Sequence, residues 1–260
     1  MKLLKRIIVA VIFIPIILFL FYKGEISFII FLSLIDLVMF IELRNMFRKK
    51  DIIFPILSIP VNLVVFLLLI KFDFSLIIPS FLIIALAFMG YDIFKNRLKG
   101  AIIRGSSLLF SILYISFMLS CVYKLRQLEN GNILLISLIC MIWITDSFAY
   151  FIGNKFGKHK GIIKASPNKS LEGFIAGFCF TLFFAFALYH WQVLELTNSI
   201  LLVVAVGIFG QLGDIFESML KRDVGVKDSS YILPGHGGVL DRFDSLLIAA
   251  PIFYYLSLLI

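Results

Sequence analysis

The residues able to do chemistry are concentrated between Gly213 and Ser245, in the stretch GDIFESMLKRDVGVKDSSYILPGHGGVLDRFDS. Asp214, Glu217, Ser218 and Lys221 fall at i, i+3, i+4 and i+7, which puts them on one face of a helix. Asp241, Asp244 and Ser245 repeat that arrangement at the start of the next apolar run. Two helix ends joined by one loop bring their carboxylates together, as a divalent cation requires. Between them, Pro234-Gly235-His236-Gly237-Gly238 carries no bulky side chain except His236, so its backbone N–H groups can approach a phosphate closely. Lys221, Arg222, Lys227 and Arg242 add positive charge. Taken singly, each of these residues fits an interfacial loop or an ordinary turn. Acids for a metal beside bases for phosphates, within one short stretch, make a nucleotide site.

A second polar cluster precedes it. Asp146 and Tyr150, in Thr145-Asp146-Ser147-Phe148-Ala149-Tyr150, lie at i and i+4 on one helix face. Ser166-Pro167-Asn168-Lys169-Ser170-Leu171-Glu172-Gly173 then opens a further apolar run, and its polar groups and helix N-terminus suit an anion. The same residues also suit an N-cap, with Glu172 completing a capping box from Lys169 or Ser170. The two readings are compatible.

The elements that must position these clusters are membrane helices. The chain has 260 residues, 61% of them hydrophobic and only 15% charged, against about half and a quarter in soluble domains. Its long apolar runs are continuous rather than alternating, which excludes a closed barrel and gives an all-α, polytopic membrane protein in a single domain, 1–260. About nine spans are expected, at 7–22, 26–43, 52–70, 75–94, 101–123, 132–152, 171–190, 199–220 and 239–259. Pro55 and Pro60 interrupt the third and Asp36 is an odd guest in the second. The basic N-terminus resembles a signal peptide, but no small-residue cleavage site follows it. All but Lys23, Lys71, Lys124 and Arg126 of the 24 Lys and Arg residues fall on the side of the N-terminus. By the positive-inside rule the N-terminus is therefore cytoplasmic, as are the polar loops 153–170 and 221–238. The net charge of +8 speaks for topology and anionic lipid, not for nucleic acid. The three cysteines lie in apolar runs without ligand spacing and read as packing residues. His190 beside Trp191 reads as an interfacial belt, His159 as a polar loop residue, and Asp36, Glu42 and Asp92 as interhelical partners.

The order Ser218, Leu220-Lys221-Arg222, Lys227-Asp228, Ser230, Leu233-Pro234, His236-Gly237-Gly238 and Asp241-Arg242-Phe243-Asp244 resembles the signature of the phosphatidate cytidylyltransferase (CDP-diacylglycerol synthase) family. Asp146 to Gly153 and Ser166 to Gly173 resemble two further segments of that family, with Asn168 and Ser170 where a Lys and a Thr are usual. Asn168 loses a charge, and Ser170 keeps the hydroxyl.

The resemblance implies the reaction of CTP with phosphatidate to give CDP-diacylglycerol and pyrophosphate, in phospholipid biosynthesis, at a bacterial-type cytoplasmic membrane with the site facing the cytoplasm. It implies Mg²⁺ on Asp214 and Asp241, with a second cation left open, and Lys221, Arg222, His236 and Asp244 in the reaction. His236 either binds phosphate or moves a proton. Ser166, Lys169, Glu172, Ser218, Lys227, Asp228, Gly237, Gly238, Arg242 and Asp146 are implied in substrate binding. A homodimer is left open. A polyprenol kinase or a lipid cytidylyltransferase with another acceptor would share the nucleotide logic, whereas a cation-coupled transporter would need its carboxylates near the midplane. An Asp-Gly-x-x-Ala-Arg motif is absent, against a CDP-alcohol phosphotransferase.

Overall fold

A backbone in lipid must satisfy its own polar groups, and the long apolar runs do so as helices. The computed structural model describes residues 15–72, 77–233, 235 and 237–259. They form α1 (15–23), α2 (Glu25–Arg48), α3 (Ser58–Lys71), α4 (Ile77–Phe94), α5 (Ala101–Arg126), α6 (Gly131–Phe156), α7 (Leu171–His190), α8 (Leu196–Asp223) and α9 (Leu240–Leu258). Among the described residues there is no β-strand. Five helices (α2, α5, α6, α7 and α8) are long and apolar enough to cross a membrane, while α3 and Pro79–Phe94 are shorter apolar helices. The first half of the expected first span, 7–22, lies outside the described residues.

The boundaries follow local chemistry. Gly24, at φ 69° and ψ −138°, breaks α1 from α2 in a conformation that glycine takes readily. Arg126 closes that break, donating from Nε and Nη2 to the carbonyls of Phe21 and Tyr22 at 2.8 and 2.9 Å. The expected third span begins late, at Ser58, because Pro55 disfavours helix in the residue before it. Pro60 then sits in the first turn of α3, where its missing N–H costs nothing. Wide π-helical turns interrupt α5 at Leu113–Phe117 and α8 at Val203–Gly210.

Asp36 is the interhelical partner its position suggests. In the fully buried core, Asn62 Nδ2 donates to Asp36 Oδ2 at 2.7 Å, and Ser116 Oγ lies 2.6 Å from Asp36 Oδ1 and 2.8 Å from Asn62 Oδ1. This ring ties α2, α3 and the π turn of α5. Whichever way the Asn62 amide is turned, it and the Ser116 hydroxyl supply two hydrogens to the three contacts. Asp36→Asn brings its own amide hydrogen and keeps all three contacts. Its melting temperature in detergent should therefore match the parent, whereas Asp36→Ala should lose about 1–3 kcal/mol by stranding both partners. Asp92 is likewise a helix partner: Arg104 Nε and Nη2 donate to its Oδ2 at 3.0 and 2.6 Å across the turn between α4 and α5.

Candidate active site

Close approach of α6 and α7 sets one wall of the site. A Cβ on Gly173 would lie 2.7 Å from the Ala149 carbonyl oxygen, and one on Gly153 would lie 3.3 Å from the Gly173 Cα. Small residues at these crossings let the two backbones touch, which is how membrane helices pack without side-chain volume. The contact fixes Asp146 on α6 against the start of α7. Ser170 is the N-cap there, accepting from Gly173 N at 3.1 Å. Only half of the expected capping box forms. Glu172 turns away and takes the His159 ring nitrogen Nδ1 at 2.6 Å, so His159 is a tether and not an idle loop residue.

The ends of α6, α8 and α9 and the start of α7 enclose a cavity of about 610 Å³. Of the residues singled out in the sequence, Asp146, Lys169, Asp214, Lys221, Asp228, Asp241, Arg242 and Asp244 line it. Tyr150, Ile162, Leu171 and Leu212 give it an exposed apolar side. Lys169 Nζ pairs with Asp214 Oδ2 at 2.7 Å, and Ser218 Oγ stands behind Asp214 Oδ1 at 3.4 Å. Asp244 accepts from the N–H of Ser245 at 2.7 Å and lies within electrostatic reach of Asp214, Glu217 and Asp146. Asp146 in turn feels Asp214 against Lys169 and Arg242. Acids are thus gathered at one end of the cavity, with cations among them.

Asp241 is tied differently. Its Oδ1 accepts from Lys221 Nζ at 2.5 Å, and its Oδ2 accepts from Ser229 N, Ser229 Oγ and Gly238 N at 3.0, 3.0 and 2.7 Å. Lys221 also pairs with Glu217, one turn back on α8. Both Asp241 oxygens are therefore committed to holding the loop between α8 and α9. The glycine turn shows the same re-use. A Cβ on Gly237, at φ 84°, would lie 2.7 Å from Asp241 Oδ2, and one on Gly238 would collide with Ser229 Oγ and the Glu42 carboxylate. The N–H of Gly238, expected to face a phosphate, faces the protein's own carboxylate instead.

Other expected residues stand outside the cavity lining. Arg222 bridges the two polar loops, donating from Nε to Ala165 O and from Nη1 to Val226 O, both at 3.2 Å. Ser166, Glu172, Ser218, Lys227, Gly237 and Gly238 do not line it. His236 and Pro234 lie outside the described residues. The sequence reading gave no site role to three groups that shape this region. Glu217 shares the face that periodicity marked, so its signal was present. Gln211 follows the π turn of α8 and donates to Gly207 O and Phe174 O at 2.7 and 3.2 Å, joining α8 to α7. Glu42 had only the signal of an acid inside an apolar helix.

Among the described residues no group of three or more His, Cys, Asp or Glu side chains is arranged to hold a metal ion as the side chains stand. The donor chemistry nevertheless suits a hard cation, since the carboxylates of Asp146, Asp214 and Asp244 line the same cavity. Asp214 offers the more available oxygen; Asp241 has none to spare.

Comparison with known proteins agrees with this chemistry. The model of the cytidylyltransferase family matches residues 4–260. A protein named phosphatidate cytidylyltransferase from Staphylococcus aureus (strain COL) is 36% identical, over 96% of this chain and 95% of its own length. Proteins of the same name from Staphylococcus epidermidis and Staphylococcus haemolyticus are each 35% identical over the same shares. The chain belongs to the cytidylyltransferase family.

Proposed function

We propose that this member of the cytidylyltransferase family transfers the cytidylyl group of CTP to phosphatidate, giving CDP-diacylglycerol and pyrophosphate. The observation that carries the reading is one cavity with three unlike parts: a carboxylate cluster, cations, and an exposed apolar side. These suit a metal-bound triphosphate, two anionic reactants, and acyl chains, in that order.

In the reaction, a phosphate oxygen of phosphatidate attacks the α-phosphorus of CTP. The new P–O bond forms as the bond from that phosphorus to the α,β-bridging oxygen breaks, and pyrophosphate leaves with the bonding electrons. The attacking oxygen is ionised at neutral pH, so the site needs no strong base. It has to offset repulsion between two anions and align them. Lys169 and the exposed Arg242 are the side chains best placed to do so. Lys221 acts more by fixing Asp241, and Arg222 by joining the two loops. Mg²⁺, held by Asp214 with Asp146 and Asp244, would neutralise charge on the triphosphate. Phosphatidate enters sideways from the inner leaflet, its chains along Tyr150, Ile162, Leu171 and Leu212.

Purified protein given labelled CTP and phosphatidate should form CDP-lipid and pyrophosphate, and diacylglycerol or a free polyprenol in place of phosphatidate should be inert. CTP-dependent phosphorylation of either alcohol would make a kinase the better reading.

The topology proposed with it has about nine crossings, the N-terminus inside and both polar loops in the cytoplasm, on the strength of the Lys and Arg asymmetry. Single cysteines at Asn154 and Tyr231, both exposed, in a background lacking the native three, should react with an impermeant maleimide only after the membrane is opened. Reaction in sealed cells would overturn the orientation.

A further inference from the structure

We infer that Glu42, on α2, is a positioning residue for the CTP-facing loop; the inference rests on the reading above. Its carboxylate is 1% exposed and faces four donor groups, one of them the Ser229 hydroxyl, whose single hydrogen it shares with Asp241. Oε1 takes Ser230 Oγ at 2.5 Å and Val239 N at 2.9 Å; Oε2 takes Ser229 Oγ at 3.1 Å and Leu240 N at 2.7 Å. Val239 and Leu240 are the entry to α9, whose first N–H groups have no partner within the helix. Glu42 thus fills the anion site at that helix end, while Asp241 holds the other side of the same Ser229. Between them the two carboxylates fix the stretch that carries Asp228, Asp241 and Arg242 into the cavity. Glu42 does not line the cavity, so it acts through the loop.

The donor pattern makes the residue type testable. Each Glu42 oxygen faces one hydroxyl and one backbone N–H. A hydroxyl can turn and accept, but an N–H cannot. Glu42→Gln therefore sets its NH₂ against the N–H of Val239 or of Leu240, whichever way it is placed. A second tie near the end of α2 serves as a control: Lys50, just past α2, and Asp223, the last residue of α8, form an exposed ion pair at 2.6 Å, and Asp223→Asn removes it without touching any Glu42 contact.

We expect Glu42→Gln to raise the KM for CTP about tenfold, the scale of one lost hydrogen bond to a charged group. The KM for phosphatidate should stay within about twofold. Hydrogen exchange at the Val239 and Leu240 amides should quicken in the same variant, and Asp223→Asn should change neither readout. If Glu42→Gln does not accumulate as folded protein, Ser230→Ala, which removes one donor and leaves the charge, should raise the KM for CTP about threefold. An unchanged KM for CTP, or a fall in kcat alone in step with the amount of folded protein, would overturn the inference. Should the parent protein make no CDP-lipid from CTP, the functional reading fails, and amide exchange still decides the role of Glu42.

Discussion

Asp214→Asn should lower turnover by about a hundredfold, near 2.7 kcal/mol of transition-state stabilisation. The carboxylate lines the cavity and is only half-buried, with Lys169 on one oxygen and Ser218 distant from the other. The substitution keeps the volume and removes the charge, so helix packing should survive. What goes is the most available oxygen for a cation and the counter-charge that orients Lys169. More Mg²⁺ should then be needed for half-maximal activity, and excess Mg²⁺ should restore part of the loss. Near-parental turnover with an unchanged Mg²⁺ requirement would place the ion elsewhere.

Asp241→Asn should cost at least about a hundredfold as well, with a different signature, because removing one partner of a buried ion pair costs about 3–5 kcal/mol. Placed one way, the new amide nitrogen faces Lys221 Nζ; placed the other way, it faces the N–H groups of Ser229 and Gly238. The first placement leaves Lys221 with Glu217 alone, the second takes the acceptor from the two loop N–H groups, and both remove the charge that anchors the loop. The Mg²⁺ requirement should stay as in the parent while amide exchange rises across the loop. A raised Mg²⁺ requirement with a quiet loop would instead make Asp241 a metal ligand.

Much of this was legible in the chain. The i, i+3, i+4, i+7 spacing on α8 brought Asp214 and Lys221 to the cavity, and the two polar segments proved to be its neighbouring walls. Local pattern could not say which anion each donor would meet. The Gly-rich turn reads as a phosphate cradle because exposed N–H groups invite an anion, and the anions found there are the chain's own Glu42 and Asp241. Likewise Glu172 has the spacing of a capping residue, yet its partner is His159. A carboxylate's partner is a fact of tertiary placement, and short-range spacing carries none of it. Pro55 and Pro60 did give a correct warning, and α3 is shortened at that end.

The reach of Glu42 has a consequence for how the protein is made. Its donors follow it in the chain by 187 to 198 residues. Loop entropy is no obstacle to so distant a closure, since each doubling of length costs only about 0.6 kcal/mol. The order of synthesis is another matter. When α2 enters the membrane its acid has none of its four donors, and the set is complete only when the start of α9 emerges from the ribosome. A chain that stalls before Leu240 can insert its earlier spans and still lack an anchored loop. The anchoring of that loop therefore waits on the synthesis of α9.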